Sequence, residues 1–288
     1  MDIGLMMPML LSSILLVYGM AVLRVYLRLV AVVNDLNPQH SECSPDRLFK
    51  ASREAFAQAL LDRGDEKSSD VDLRVFIRAT REYNKVIEAF FGQRSGFATM
   101  SANTIKENTD KMEVAGLGSA RALLRHEIAV LRLHTPGRLA DPSGAMGLLW
   151  TVRGLQLWVF FFQNMLAVRA LPRSDPMRHE STRSVLRRSF EQSHGAVASW
   201  FSQKAFAMGC LGAGPWEEHA INVAPSLAQA EEDIRTWAVL MDKILARCWC
   251  ILDHFECNDA PISRQSDVNL KTKPTSANYL TKEGQKGG

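Results

Sequence analysis

The sequence predicts an all-α fold, and three observations lead to that prediction. From Ser44 to about Asn258, nearly every segment repeats its apolar residues at the three- and four-residue spacing of an amphipathic helix. No segment shows the alternation of apolar and polar residues that is typical of strands bounded by turns. Short polar residues precede the first two apolar runs, where Ser44 or Asp46, and then Asp70 or Asp72, can cap a helix.

The helices are expected to follow one another along the whole of this region. The first is marked by Leu48, Phe49 and Phe56, and the second runs from Leu73 to Phe91. Further helices are expected over residues 101–115, 120–133, 146–168, 182–208 and 226–255.

The helix over residues 146–168 is unusual because it is apolar almost all round. A helix without a polar face is buried in a core, spans a membrane or lines an apolar cavity. Arg153, Gln156 and Asn164 lie inside this run and argue against a membrane span. We therefore expect it to be the central helix of a large helical domain.

The composition is that of a globular protein with room for a sizeable core, since 47% of the 288 residues are hydrophobic and 23% are charged. The net charge of +3 gives no reason to expect a nucleic-acid partner. The cysteines are too few and too scattered for a disulfide framework or a zinc site, so we expect reduced thiols and no metal. They are Cys43, Cys210, Cys248, Cys250 and Cys257.

The N-terminal region contains a long apolar run. Residues Ile3 to Leu23 are 21 consecutive uncharged positions, which is long enough for a helix to cross a bilayer. Asp2 precedes the run whereas Arg24 and Arg28 follow it, and positive charge marks the cytosolic side of a span. We expect an uncleaved membrane anchor with the main domain in the cytosol. The alternatives are a cleaved signal sequence and a peripheral hydrophobic helix.

These features divide the chain into four parts. Residues 1–33 form the anchor and the polar residues 34–43 form a linker. Residues 44–258 form the helical domain. Residues 259–288 are rich in Lys, Ser, Thr, Asn and Gly, and we expect them to be a disordered tail.

No catalytic constellation is recognisable, so neither an enzyme nor a cofactor is expected. His126-Glu127 does not continue as a zinc-protease motif, because Val130 stands where the second histidine belongs. Gly116 and Gly118 open a helix without a preceding strand, which argues against a dinucleotide site.

Several separate segments carry a resemblance to one protein family. They are Leu-Trp-Thr-Val-Arg-Gly-Leu at 149–155, Trp-Phe-Ser-Gln-Lys-Ala-Phe at 200–206, Gly-Pro-Trp at 214–216, the run 76–97, and Arg-His-Glu at 125–127. In order and spacing these segments resemble the glycolipid transfer proteins, including their ceramide-1-phosphate branch. The resemblance covers about Ser44 to Cys257.

This resemblance implies a two-layer all-helical sandwich with an apolar tunnel between the layers for the two chains of a ceramide. A polar head would sit in a surface site. Buried acyl chains contribute about 0.8 kcal/mol per methylene, and a few convergent polar groups then select the head. The expected ligand is a glycosphingolipid or ceramide-1-phosphate. The other expected partner is a membrane surface, and we expect a monomer.

The headgroup site of the family contains an Asp, an Asn or Lys four residues later and, in the glycolipid branch, a Lys three residues further on. In our preferred register these places fall on Thr104, Asn108 and Lys111, which share one helical face. A second register, shifted back by one residue, puts acids where the family has bases. Both registers lack the family Asp, and a neutral Thr hydroxyl makes a weaker hydrogen bond to the ceramide amide.

Two more head-binding positions follow from the resemblance. Trp150 matches the glycolipid branch, in which an indole forms a platform under the first sugar, and Arg153 is the matching cation on that helix. The family His that bonds the ceramide amide falls on Ala198, which cannot hydrogen-bond. His194, one turn earlier on the same face, is the candidate replacement. The alternatives are core packing for Trp150, a structural ion pair for Arg153 and an exposed face for His194.

The membrane-facing patch of the family resembles Trp200, Pro215 and Trp216, since amphipathic aromatic residues favour the level of the lipid headgroups. Lys204, Arg187 and Arg188 would add attraction to anionic lipid. The alternative for Trp200 is a place in the core.

Two functions remain open on the sequence alone. The first is binding and intermembrane transfer of a sphingolipid, which the Trp150 helix and the apolar tunnel favour. The second is a non-transferring, membrane-anchored lipid sensor or scaffold with a degenerate site, which the anchor and the missing Asp and His favour. We prefer the first.

Overall fold

The computed structural model describes residues 47–61, 69–92, 95–132, 134, 139–198 and 200–257. Nine α-helices lie in these ranges: α1 (Leu48–Ala57), α2 (Leu73–Phe91), α3 (Gly96–Val114), α4 (Ala120–Arg125), α5 (Gly144–Ala170), α6 (Thr182–His194), α7 (Trp200–Gly209), α8 (Trp216–Ala220) and α9 (Leu227–His254). A π-helical turn, His126–Val130, continues α4, and 3₁₀ turns span Pro176–His179 and Cys210–Gly212. The predicted anchor, linker and most of the predicted tail lie outside the described residues.

The one piece of sheet in the described residues is an antiparallel pair of two-residue strands, β1 (Leu60–Leu61) and β2 (Asp70–Val71). Two residues are too short to show strand alternation, so the sequence gives no signal for this pair. The prediction of an all-α fold is confirmed for the described chain.

Short polar side chains begin most of the long helices. Asp72 caps α2 by accepting a hydrogen bond from the Val75 amide at 3.0 Å, whereas Asp70 accepts from the amides of Val71 and Arg121. Such a cap contributes about 1 kcal/mol. Serine caps α3, α4, α5, α6 and α9 in the same way, through Ser95, Ser119, Ser143, Ser181 and Ser226.

The start of α5 is held by a second group. The buried Glu127 carboxylate accepts hydrogen bonds from the amides of Gly144 at 2.7 Å and Ala145 at 2.9 Å. The Ala140 amide donates to Nδ1 of His134, so the neutral ring carries its proton on Nε2 and donates it to Glu127 at 3.1 Å. The π-helical turn thus places the Glu127 carboxylate at the first turn of α5.

Helix α5 is the centre of the fold, since it packs against α3, α6 and α9. By length and composition it is the one helix in the described residues that could cross a membrane, yet 78% of its most apolar stretch is buried inside the protein. Gln163 donates to Asp242 on α9, and Asn164 donates to Ser189 on α6. The prediction of a central core helix is therefore confirmed.

Aromatic side chains fill the interior between α1, α2, α5 and α9. Phe162 of α5 meets Phe49 edge-on, with the ring centroids 4.9 Å apart. Tyr83 of α2 stacks on Trp237 of α9, also at 4.9 Å. Each such pair contributes roughly 0.5–1.5 kcal/mol beyond the burial of its area. We call this group the aromatic interior; its members are Phe49, Phe56, Tyr83, Phe90, Trp158, Phe161, Phe162, Trp216 and Trp237.

The predicted helix over residues 182–208 is two helices. Helix α6 ends at His194, whose carbonyl accepts hydrogen bonds from the amides of both Val197 and Ala198. Gly195 follows α6, and glycine disfavours a continued helix by about 1 kcal/mol relative to alanine. Apolar residues continue at helical spacing across this break, because α6 and α7 both contribute apolar side chains to surfaces that lie next to each other.

Candidate functional site

The site begins where α3 and α5 approach each other most closely. A β-carbon built on Gly147 would lie 2.5 Å from the Asn108 carbonyl oxygen and 3.1 Å from Cβ of Lys111. Only glycine allows this approach, because such a contact is shorter than van der Waals distance. Gly147 thereby places the α3 positions of the preferred register beside the α5 turn that carries Trp150.

The three α3 positions differ in their surroundings. Asn108 is buried, and Thr104 is exposed and donates its hydroxyl to the Met100 carbonyl at 2.9 Å. Nζ of Lys111 lies 2.9 Å from Oδ1 of Asp141 and 3.1 Å from Oε1 of Glu107. Partial burial lowers the pKa of Lys111, but these two hydrogen bonds outweigh it and raise the pKa above its ordinary value.

The alternative register consists of Asn103, Glu107 and Asp110, and its two acids have different partners. Glu107 pairs with Lys111, whereas Asp110 forms ion pairs with Arg81 of α2 and with Lys106 of its own helix, at 2.7 and 2.6 Å. Asp110 is therefore turned toward α2, whereas Asn108 and Lys111 lie at the contact with α5. Of the preferred register, Asn108 and Lys111 thus lie at the contact with α5, whereas Thr104 is exposed and bonds to its own helix.

On α5, Trp150 and Arg153 lie together. Cζ of Arg153 is 5.1 Å from the centroid of the Trp150 ring, which is a cation–π distance. The guanidinium is buried, with the residue 4% exposed, while the indole is partly buried. Gly154 follows, and a β-carbon built there would meet nothing within 4 Å. The turn that carries the indole and the guanidinium thus has open space beside it.

His194 of α6 completes the group. Its ring lies between Trp150, at 6.2 Å between centroids, and Phe190, at 5.0 Å. Its Nδ1 is 2.7 Å from Oγ of Ser193. Burial, and then the nearby charge of Arg153, lower the pKa of His194 to about 4, so the imidazole is neutral at pH 7. We call Trp150, Arg153 and His194, with Asn108 and Lys111, the head corner.

Three residues of this region were not predicted from the sequence. Gly147 sets the helix approach, Asp141 binds Lys111, and Phe190 backs His194. Gly147 carried a weak signal, since it stands seven residues before Gly154 in a helix that is otherwise apolar. Phe190 stands four residues before His194 on the same helical face, which is a local signal, whereas Asp141 carried none because its contact with Lys111 joins residues 30 positions apart.

The residues predicted to meet a membrane are placed differently from one another. Only the backbone of Trp200 is described, at the start of α7, and Pro215 is exposed. Trp216 is 2% exposed, its ring packs on Phe90, and its Nε1 donates to Glu231 at 3.3 Å. The expectation of a surface indole is therefore corrected for Trp216.

The reason for this correction is an ion-pair network around α8. Arg169, at the end of α5, pairs with both Glu217 of α8 and Glu231 of α9. This network holds α8 against the body of the fold, and the Trp216 ring becomes part of the aromatic interior.

The aromatic interior lies directly behind the head corner. Both regions share α5, and Trp158, Phe161 and Phe162 continue the helix beyond the Arg153 turn. The arrangement joins a polar corner, which contains two cations, an amide and a neutral imidazole, to an interior filled by aromatic rings. Such a combination suits an amphiphile with a compact polar head.

A family model and several solved structures match this chain. The family model described as glycolipid transfer protein matches residues 71–222. No curated protein sequence matches the chain.

Solved structures with the same fold include three transfer proteins. Human ceramide-1-phosphate transfer protein in complex with 2:0 ceramide-1-phosphate has a TM-score of 0.61 at 17% identity, covering 74% of this chain and 98% of that one. The apo form of the mouse protein has a TM-score of 0.60 at 15% identity, covering 74% and 99%. A fungal glycolipid transfer protein has a TM-score of 0.56 at 16% identity, covering 73% and 99%.

Proposed function

The chain belongs to the glycolipid transfer protein family, and from that premise we propose that it binds one sphingolipid and carries it between membranes. The head corner holds the polar head and the aromatic interior receives the hydrocarbon chains. Binding and carrying, rather than catalysis, is the role that the side chains support.

One observation carries the proposal. The partly buried indole of Trp150 lies against Arg153 and His194, beside open space at Gly154, at the point where the polar corner meets the aromatic interior. A ligand bound there can keep its polar head in contact with the side chains of the head corner while its hydrocarbon chains enter the aromatic interior. Because each buried methylene contributes about 0.8 kcal/mol, the chains supply most of the affinity and the corner supplies the choice of head.

For the head we propose a sugar rather than a phosphate. Lys111 is already paired with two carboxylates, Asp141 and Glu107. These carboxylates repel a phosphate but accept hydrogen bonds from sugar hydroxyls. Asn108, Lys111 and Trp150 also match the glycolipid branch of the family. Arg153 and His194 would move aside from the Trp150 ring to let a hexose stack on it.

The hydrocarbon chains require that the aromatic interior opens. In the described conformation Phe49, Phe162 and Trp237 are in mutual ring contact at the meeting of α1, α5 and α9. We infer that the hydrocarbon chains of the ligand separate these rings and replace the contacts between them with apolar contacts of their own. Separating the rings costs about 0.5–1.5 kcal/mol for each ring pair, and the burial of the chains, at about 0.8 kcal/mol per methylene, exceeds this cost.

The apolar run Ile3–Leu23 suggests how the carrier is used. We propose that it anchors the chain in a membrane with the helical domain in the cytosol. A tethered carrier reaches only a second membrane that lies close by. Transfer would then take place where two membranes are closely apposed.

A second function has a specific observation in its favour. Thr104 and Ala198 stand where the family has its Asp and His, and the hydroxyl of Thr104 already donates to its own helix. A corner without these groups suits a membrane-anchored sensor or scaffold that holds a lipid without releasing it.

The first experiment separates these functions. The full chain, purified in a mild detergent, is analysed by mass spectrometry for copurifying lipids, and its transfer of fluorescent hexosylceramide and ceramide-1-phosphate with identical chains is measured between vesicles. We expect a bound sphingolipid and faster transfer of the sugar-headed lipid. A bound lipid without any transfer favours the sensor, and an empty, stable protein contradicts transfer and favours a scaffold with a degenerate site.

Substitution of Trp150 tests the sugar platform. Trp150→Ala should slow transfer of hexosylceramide about tenfold more than that of ceramide-1-phosphate, since an aromatic contact of this kind is worth roughly 1–1.5 kcal/mol. Trp150→Phe retains a ring and should recover much of the difference. Equal losses for both lipids would contradict the platform role.

A further inference from the structure

We propose that the protein prefers sphingolipids with an additional hydroxyl group close to the ceramide amide, and that the buried hydroxyls of Thr80, Tyr83 and Thr151 bind this group. The inference rests on the proposed function, because it concerns the same ligand. It names the class of ceramide that the site takes, which neither the head corner nor the aromatic rings decide.

All three hydroxyls are buried without a partner. Thr80 and Tyr83 are 0% exposed and Thr151 is 2% exposed, and none of the three oxygens forms a hydrogen bond with any residue in the described part of the chain. Burial also raises the pKa of Tyr83, so its hydroxyl keeps its proton and can donate it. A buried hydroxyl without a partner has lost its bonds to water, so a ligand group that supplies a bond is favoured there.

Other hydroxyls on helices of this protein do have partners. Thr236 and Ser189 donate to carbonyls in the preceding turn of their own helices, at 3.1 and 2.8 Å. This bond is open to any threonine or serine inside a helix. The hydroxyls of Thr80 and Thr151 do not make it, and they remain available to a ligand.

Helices α2 and α5 begin side by side, because both reach the short helix α4 with their first residues, Leu73 and Gly144. The amide of Leu73 donates to the carbonyl of Gly118, just before α4, at 3.0 Å. A β-carbon built on Gly144 would lie 2.6 Å from Cδ1 of Leu123, inside α4. The two helices therefore begin at the same level of the fold.

The same two helices meet again further along, where the rings of Phe90 and Phe162 are 5.4 Å apart. They therefore run in the same direction, with the same rise per residue. Thr80 and Thr151 each stand seven residues after the first residue of their helix, so they lie at the same level. Tyr83 follows Thr80 by one turn and shares a helical face with Phe90. Thr151 shares a face with Phe162. The three hydroxyls thus lie on the sides of α2 and α5 that face each other.

The position of Thr151 decides which hydroxyl of a ligand it can reach. It follows Trp150 directly, so it stands at the level of the head corner but on the inner side of α5. A lipid whose head lies at Trp150 has its ceramide amide at this level. An additional hydroxyl on C2 of the acyl chain or on C4 of the long-chain base is only a few bonds from that amide.

Tyr83 adjoins the path that the chains take. Its ring stacks on Trp237 at 4.9 Å, and Trp237 is one of the rings that the hydrocarbon chains separate. A lipid without the additional hydroxyl covers the three oxygens with methylenes and leaves them unpaired. A hydroxylated lipid pairs with at least one of them and brings its own hydroxyl into the fold with a partner.

The test is a competition among three hexosylceramides with chains of equal length. One has no additional hydroxyl, one has a 2-hydroxyacyl chain and one has a 4-hydroxy base. The full chain in mild detergent is incubated with equal amounts of the three and re-isolated, and the bound lipids are quantified by mass spectrometry. We expect about fivefold more of a hydroxylated lipid than of the plain one, since one hydrogen bond contributes roughly that factor. The enriched lipid identifies which of the two hydroxyls is bound.

Two sets of variants assign the preference to these oxygens. Thr151→Val/Tyr83→Phe removes two of the three hydroxyls at almost constant shape and should bring the three lipids to nearly equal binding. Thr236→Val makes the same kind of change on α9, at a hydroxyl that is already bonded, and should retain the preference. Equal binding of the three lipids by the unsubstituted protein, or an undiminished preference in the double variant, overturns the proposal. An equal loss in Thr236→Val also overturns it.

Thermal denaturation without added lipid gives a second readout. Because the Tyr83 hydroxyl has no partner, Tyr83→Phe removes an unpaired buried group and should raise the Tm by roughly 2–4 °C. A fall in Tm would show that the hydroxyl is bonded within the protein and would overturn the proposal. Failure to bind any of the three lipids overturns the proposed function and this inference together, whereas equal binding of all three overturns this inference alone.

Discussion

The two halves of α5 differ in what surrounds them. Up to Gly154 the helix meets α3 and α6 through a guanidinium, an amide and an imidazole. From Leu155 onward it is enclosed by aromatic rings from α1, α2, α8 and α9. The difference indicates that choice of ligand is concentrated in the first half and stability in the second, so substitutions should separate the two properties.

The largest loss of stability is expected in the second half. Phe162→Ala removes a buried ring that contacts Phe49, Phe90 and Trp237, and should lower the free energy of unfolding by about 3–5 kcal/mol. Urea denaturation measures this change. Phe162→Leu retains much of the volume and should cost less. A loss below about 1 kcal/mol for the Ala variant would show that these rings do not support the fold.

At low pH, His194 of the head corner should lower the stability of the protein. The pKa of His194 is about 4 in the folded protein and has its ordinary value of 6.5 in the unfolded protein. The contribution of His194 to the free energy of unfolding is therefore present above pH 6.5 and is lost as the pH falls toward 4. The loss amounts to at most about 3 kcal/mol. The free energy of unfolding, measured from pH 7.5 to pH 4, should fall less steeply for His194→Gln than for the unsubstituted protein. Identical profiles would show that the ring is not held neutral against Arg153.

The smallest of these effects compares two glycines of the first half. Gly147→Ala forces a β-carbon to 2.5 Å from the Asn108 carbonyl and should cost about 1–3 kcal/mol. Gly154→Ala is the matched control, because nothing lies within 4 Å there, and it should raise stability by up to about 1 kcal/mol. Thermal denaturation of both variants provides the comparison. The same change at both positions would rule out the close helix approach.

The local parts of this fold could be predicted from the sequence. Helical periodicity and Ser or Asp caps depend on neighbouring residues, which is why the order of the helices and the cap at Asp72 follow from the sequence. The break after His194 was missed because only Gly195 marks it. The π-helical turn His126–Val130 likewise has no local signal.

The parts that depend on distant residues could not be predicted. A Pro-Trp pair looks the same whether the indole faces outward or inward, and the burial of Trp216 depends on Arg169, Glu217 and Glu231. The pairing of Lys111 with Asp141 joins residues 30 positions apart. The resemblance to the family identified Trp150, Arg153 and His194 as candidates, but only the tertiary structure brings α6 against α5.

The carboxylate at the first turn of α5 has a consequence for ligand choice. The amino end of a helix carries about half a positive charge and often binds anions directly. Here Glu127 already neutralises that partial charge through the amides of Gly144 and Ala145. Glu127 thus satisfies the dipole of α5 within the protein, and the end of the helix does not favour an anionic ligand over a neutral one. The side chains of the head corner, with the carboxylates that pair with Lys111, and not the end of α5, should therefore determine which lipid head is bound.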